Sequence, residues 1–513
     1  MRAKDGLCIA VLVAGLAGCS EDKHDARGIG AAGFAGGLGA GMGATTAGAS
    51  GMPVTGTLPP AAGTSGLAGR SGGAVAGTGS GGRTGFPSRG GSAGRETAGM
   101  AGAAGGTSAM TGGGTTEPPP AVCTSPLMLM DVSKTTTVIG TGTPDSCTEA
   151  ALRTAISAGG MIAFNCGEMP VTLKITQTLT APSNKDTTID GGDKVTLDGG
   201  GTTQILRSSG SNFRMNDRVL RVQRLVFAGG KDLGTGFKER DGDKTCAWGY
   251  KQGGGGAIFV RDVNLQAIGV TFRDNHGPEL GPDVAGGAIY ASNSKKLVIA
   301  NSVFTGNSAA NGGAIGLLQT SAELYNVTFE KNQATGLLAN FGGATGCPTF
   351  NHSEQGGAGG LGGAFYSDGE DPGDTFCGVR MSDNTSGDLG GAVFRSAYWG
   401  LNGGNPKQEF SWDQTTLERN TSGKGGGAAY LNNASFTLKR SHFTGNQSKD
   451  DGGALKLTGL TLHFDDVDFT NNKAATTGGA VAQWEGGPDG AGTATNVRFS
   501  GNKPGDTAGD YPK

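Results

Sequence analysis

The chain has 513 residues, 100 of them glycine, with 17% charged and a formal net charge of −3. A near-neutral balance without a basic block excludes function by electrostatic capture of polyanions such as nucleic acid. The glycine content lies far outside ordinary globular usage.

In chain order, Arg2 and Lys4 precede an apolar stretch, Leu7 to Leu16, that ends in Leu16-Ala17-Gly18-Cys19. Ten apolar residues are too few to span a bilayer and read as a secretory h-region. The Leu-Ala-Gly-Cys pattern resembles the lipobox of bacterial lipoproteins. That resemblance implies a signal peptide over 1–18, diacylation of Cys19, and a chain anchored by lipid to the outer membrane, exposed at the cell surface. Several acyl chains on one residue anchor stably where one does not.

Residues 19–120 are mainly Gly, Ala, Ser and Thr, with Phe34 and Phe86 the only aromatics. With neither helical nor strand periodicity, this stretch cannot bury enough surface to offset its ordering entropy. It is expected to be a disordered tether, with a root-mean-square span of roughly 50 Å for such a Gly-rich coil. Glu117-Pro118-Pro119-Pro120 stiffens its exit.

Over 121–170 the reading is an N-terminal cap. Ser146 and Glu149 form a capping-box pattern, and Leu152 and Ile156 share one face of a short helix that ends at Gly159-Gly160. Apart from Cys8 and Cys19, six cysteines remain: Cys123, Cys147, Cys166, Cys246, Cys347 and Cys377. An even number in an exported chain favours disulfides, and none has the close spacing of a zinc site. Cys147 and Cys166 flank the helix and its following strand and are expected to pair. Cys347 is paired with Cys377, about one coil apart, with Cys347–Cys246 as the rival.

From 171 to 513 the chain is repetitive. Gly-Gly-Ala begins at Gly255, Gly286, Gly312, Gly362, Gly390, Gly426, Gly452 and Gly478, and the last three copies are each 26 residues apart. Between copies lies an apolar residue three positions before an asparagine, as in Phe272…Asn275, Phe304…Asn307, Phe443…Asn446 and Phe469…Asn472. Three short strands with period-2 apolarity fit each unit, and stacked units bury their apolar faces only against neighbours. This predicts an all-β, single-stranded parallel β-helix. Paired glycines serve positive-φ turns, and the asparagines stack as a ladder at about 4.8 Å.

These alternating motifs resemble the polymorphic outer-membrane protein repeats of chlamydial autotransporters, within the pectin-lyase-like right-handed β-helix superfamily. The resemblance covers about Thr188 to Asn502 and implies surface adhesion; the wider superfamily includes polysaccharide lyases and hydrolases. Those autotransporters end in a β-barrel, whereas this sequence ends Gly509-Asp510-Tyr511-Pro512-Lys513, so the lipid on Cys19 is expected to replace the barrel as anchor.

Chemistry is sparse at this level. Asp465-Asp466 is the one acidic pair within a predicted repeat strand, without the companion motifs of polygalacturonases. His276, His352, His442 and His463 fall at unrelated repeat positions and read as surface residues. Asp368, Glu370, Asp371 and Asp374 offer oxygen ligands for a candidate Ca²⁺ site, set against a solvated acidic turn; no other cofactor is implied. Trp248, Tyr250, Tyr398, Trp399 and Trp412 are candidate ligand-stacking aromatics, set against plugs of the coil interior. The expected function is a non-catalytic adhesin-like protein that binds extracellular polysaccharide or a surface protein. The alternative is a carbohydrate-active β-helix enzyme, a lyase or a glycoside hydrolase.

Overall fold

The computed structural model describes residues 122–232, 253–279, 281, 284–336, 359–369, 373–397, 409–432, 435–458, 461–483 and 492–509. Over these residues the chain is a right-handed parallel β-helix in which every strand pairing is parallel. Three sheets run along it. A bent sheet has 17 strands, a flanking sheet 11 and a narrow sheet 6, among the described residues.

One coil shows how sequence makes the turn. The strand Ala429–Asn432 belongs to the flanking sheet, and Ser435–Thr444 to the bent sheet. Along the latter, Phe436, Leu438 and Phe443 are buried while His442 faces out. The even alternation breaks at Arg440, whose φ of +42 folds the strand into two halves. Gln447–Ser448 forms the narrow sheet, and Gly452-Gly453 turns the chain into the next coil. Gly452 has φ +63, and a Cβ on Gly453 would strike the backbone of the following coil. A side chain is therefore costly at either position.

Like stacks on like. Phe443 lies opposite Phe469, and Phe469 opposite Phe499, with ring centroids 5.0 and 5.2 Å apart. Phe227, Phe272, Phe304 and Phe329 make the same column in earlier coils. Beside it runs the asparagine ladder. The Asn446 side chain donates to Asn472 Oδ1 at 2.9 Å and accepts from Asn420 Nδ2 at 3.0 Å. Equivalent bonds link Asn275, Asn307, Asn332 and Asn384 to their successors.

The helix Glu149–Ala158 packs Leu152 and Ile156 against the first coils. Its N-cap is Thr148, whose hydroxyl accepts from Ala151 N–H, rather than Ser146. Glu149 is diverted from a capping box because it accepts from the Thr176 and Gln177 amides and the Thr176 hydroxyl. Cys147 and Cys166 are joined by a disulfide.

Residues 122–131 do not belong to the cap. They run back along the outside of the bent sheet as a strap. Leu127 packs on Ile268, Val298 and Ala300, and Met130 exchanges hydrogen bonds with the Gln223 amide. The strap is fastened by Cys123–Cys377, a bridge across 254 residues with Cα atoms 5.9 Å apart. This corrects the expected Cys347–Cys377 pairing. Cys377 stands on an outward row of the bent sheet, between Tyr325 and Asp413, where the strap passes. Being one coil apart in sequence does not place two cysteines on one row. Cys246 and Cys347 lie outside the described residues.

Candidate functional site

Where each long strand folds, the bent sheet has an inner corner on its outside. The fold residues stack from coil to coil: Asn326, Gly378, Gln414, Arg440 and Asp466, each with a φ between +49 and +67 except Arg440 at +42. Beyond them on the shorter half runs an outward row in strict register: Thr328, Arg380, Thr416, His442, Asp468 and Arg498. Neighbours in this row sit about 4.8 Å apart. Together these rows form a trough. A cavity of about 390 Å³ opens in it, lined by Val122, Asn326, Gly378, Arg380, Gln414, Thr416, Arg440, His442 and Asp466.

The electrostatics of the trough are specific. His442 Nδ1 and Asp468 Oδ2 are 3.0 Å apart, so the carboxylate holds the imidazole and leaves Nε2 for another partner. Arg498 grips both oxygens of Asp468 and also reaches Asp466 at 2.9 Å. The Arg498 guanidinium, and then His442, hold the Asp468 carboxyl below the usual carboxylate range. Arg440 clasps Asp413 through Nε at 2.9 Å. Arg380, exposed in the same row, makes no ion pair among the described residues. The trough thus offers an oriented histidine and an uncommitted guanidinium two coils away, while its carboxylates are pinned by arginines.

The ligand and metal candidates that are described, Trp412, Asp368 and Asp374, lie elsewhere. Trp412 is buried in the solenoid interior, stacked on Phe376 at 5.0 Å, and touches no outer surface. Its strand, Glu409–Asp413, alternates so that Phe410 and Trp412 both point inward. Of the four candidate calcium ligands, the two described, Asp368 and Asp374, are not brought together. Asp368 is bonded to the Tyr366 hydroxyl at 3.1 Å, on the outer face of the flanking sheet. Asp374 is buried inside, accepting from Ala322 N–H at 2.9 Å and 3.4 Å from Arg395 Nε. Burial pushes the Asp374 carboxyl up, against the pull of Arg395. Among the described residues no three His, Cys, Asp or Glu side chains gather as a metal site would need. Trp248, Tyr250, Tyr398, Trp399, Glu370 and Asp371 lie outside the described residues, and so does Cys19.

On the outer face of the flanking sheet, Tyr366, Phe394 and Tyr430 also stack, with centroids 5.5 and 5.4 Å apart and nearly parallel planes. These rings present their faces to one another, which is packing rather than a platform for sugar rings.

His442 is exposed, as the sequence suggests, but that reading did not include its tie to Asp468. The signal was present: Thr416, His442 and Asp468 are separated by one 26-residue repeat each, and so occupy one row.

No protein-family profile matches the sequence, and no curated protein matches it. Among solved structures, the catalytic domain of a GH87 alpha-1,3-glucanase in complex with tetrasaccharides is similar at 12% identity, over 76% of this chain and 69% of that one, with a TM-score of 0.40. The same kind of domain in complex with nigerose is similar at 13% identity, over 75% and 67%, with a TM-score of 0.35. The mannuronan C-5 epimerase AlgE4 A-module of Azotobacter vinelandii is similar at 12% identity, over 73% and 98%, with a TM-score of 0.30. The fold is a right-handed parallel β-helix. The expectation of a non-catalytic adhesin is corrected by these neighbours, which are catalytic domains and a carbohydrate epimerase and agree with the alternative instead. At such low identity they speak to fold, so the chemistry has to be argued from this chain's own residues.

Proposed function

We propose that this chain is a carbohydrate-active β-helix enzyme that works in the trough of the bent sheet, as a lyase on a uronate-bearing polysaccharide. The observation that carries the reading is His442, held by Asp468 and lining a cavity that also contains Arg380. A histidine oriented through Nδ1 is equipped to take a proton at Nε2. Arg380 supplies the cation that a substrate carboxylate needs while the adjacent carbon loses its proton. The C5 proton of the uronate passes to Nε2, its electron pair forms the C4–C5 double bond, and the C4–oxygen bond breaks. The leaving oxygen then takes up a proton. The near-neutral net charge does not oppose an anionic substrate here, since the recognition is local to one pocket rather than long-range.

Hydrolysis fits the donor set less well. It needs one carboxyl that stays protonated as an acid, whereas Asp413, Asp466 and Asp468 are each bound to an arginine. The test is turnover of polygalacturonate and polymannuronate, followed by the ultraviolet absorbance of the unsaturated product. His442→Ala should lower the rate by about 10²- to 10⁴-fold. An unchanged rate in that variant, or no turnover of either polymer, would sink the reading.

We also infer that the repeats are akin to the polymorphic outer-membrane protein repeats, a kinship supported by the eight paired Gly-Gly-Ala and apolar-x-x-Asn motifs. Cys19, by its Leu-Ala-Gly-Cys context, is inferred to carry the lipid that would hold the enzyme at the outer membrane facing extracellular polysaccharide. Metabolic palmitate labelling that is equal in Cys19→Ala and the parent chain would refute the anchor.

A further inference from the structure

The trough has unlike ends. Toward the earlier coils it is filled by the strap. The Val122 and Cys123 amides both donate to Asn326 Oδ1 at 2.9 Å, and Asn326 Nδ2 returns a bond to Cys123 O at 2.8 Å. Gly378, in the left-handed region at φ +67, makes room for this contact: a Cβ there would come within 2.7 Å of the Val122 side chain. Beyond Cys123 the strap continues on the same surface over Ile268, Val298 and Ala300. Toward the later coils the rows run on through Gln414, Arg440 and Asp466 to Asn496, and among the described residues that line the cavity only Val122 comes from outside the bent sheet.

We propose that the strap is the stop of a dead-ended groove, so that the site takes the end of a polysaccharide chain and not its middle. This rests on the uronate reading above and adds a specificity to it. A polymer lying across His442 from the open side has about two coils, on the order of 10 Å, before it meets Val122 and the Cys123–Cys377 bridge. An internal stretch has to leave at both ends and finds one exit filled. A chain terminus fits, with its last rings over Gln414 and Thr416 and a carboxylate within reach of Arg380. The stop is covalently fixed at Cys377, so it does not yield to a passing chain. Because the strap lies outside the solenoid, loosening it leaves the Phe and Asn columns untouched.

The experiment is binding of the full chain in detergent to polygalacturonate and polymannuronate, each in a short and a long preparation at equal mass. End binding makes the number of sites per gram double when the chain length is halved. In Cys123→Ser, whose strap is unfastened, that dependence should weaken, and the Val122 and Cys123 amides should lose protection from hydrogen exchange while the ladder amides keep theirs. Sites per gram that ignore chain length in the parent protein overturn the dead end and leave the uronate reading standing. No binding to either polymer overturns both. An unchanged length dependence in Cys123→Ser, with the two strap amides deprotected, overturns the strap as the stop.

Discussion

Asn446→Ala tests whether the asparagine ladder is structural. The residue is fully buried. Its Oδ1 accepts from Asn420 N–H and Asn420 Nδ2, both at 3.0 Å, and its Nδ2 donates to Leu417 O and Asn472 Oδ1, both at 2.9 Å. Alanine removes all four bonds and leaves the Asn420 amide and one Asn420 side-chain hydrogen without partners. An orphaned buried polar group costs about 1–3 kcal/mol, so two give a loss on the order of 2–6 kcal/mol, reduced if water enters the gap. Asn502→Ala is the internal control. Asn502 accepts the Asn472 bonds and donates to Phe469 O and Asp506, but it is partly exposed, so water can replace much of what is lost. Urea unfolding followed by far-ultraviolet circular dichroism should therefore show a much larger loss for Asn446→Ala than for Asn502→Ala. Equal losses, or a loss for Asn446→Ala under about 0.5 kcal/mol, would mean that the ladder bonds are incidental.

Phe443→Ala, which truncates a fully buried ring stacked on Phe469, should cost roughly 3–5 kcal/mol in the same urea melts. Arg395→Ala strands the buried Asp374 carboxylate and should cost about 3–5 kcal/mol, whereas the double variant Arg395→Met/Asp374→Leu should recover most of it. A double variant no more stable than the single one would argue against a stranded charge as the cause. Asp468 has its folded-state pKa lowered, so its contribution to stability is present above the unfolded carboxyl value of 3.8 and is lost as pH falls through the lower folded value. Asp468→Asn should thus flatten the fall in thermal stability on the acid side of 3.8 and leave its slope near neutrality unchanged; an identical acid limb in the variant would show that the carboxylate is not held by Arg498 and His442.

The columns could be read from the sequence because stacking imposes the same residue at the same place in each turn. Phe272, Phe304, Phe329, Phe443 and Phe469 repeat as a type, and the asparagines beside them repeat without exception from Asn275 to Asn502. Trp412 was within reach as well, since alternation from Phe410 places it inward. The fold in the bent sheet was not legible. Gln414 and Arg440 adopt positive φ there, and neither residue type announces that conformation as Gly or Asn would. Without the fold there is no trough, and without the trough His442 is one exposed residue among many. The strap had no local signal either, because its contacts reach Asn326 and Cys377, more than 200 residues away.

The contrast between rows is itself informative about function. A solenoid interior is made of near-identical layers, and departures there cost stability in two neighbouring coils at once. The outward row of Thr328, Arg380, Thr416, His442, Asp468 and Arg498 is under no such demand, and its six residues are of four types. Yet they are not scattered surface polars: His442 is tied to Asp468, and Asp468 to Arg498, across successive coils. Stability does not explain that arrangement, since exposed pairs of this kind contribute about 0–1 kcal/mol each. What the coupling does achieve is to fix the orientation of one imidazole at the edge of a cavity, and an imidazole so fixed is of use in moving a proton.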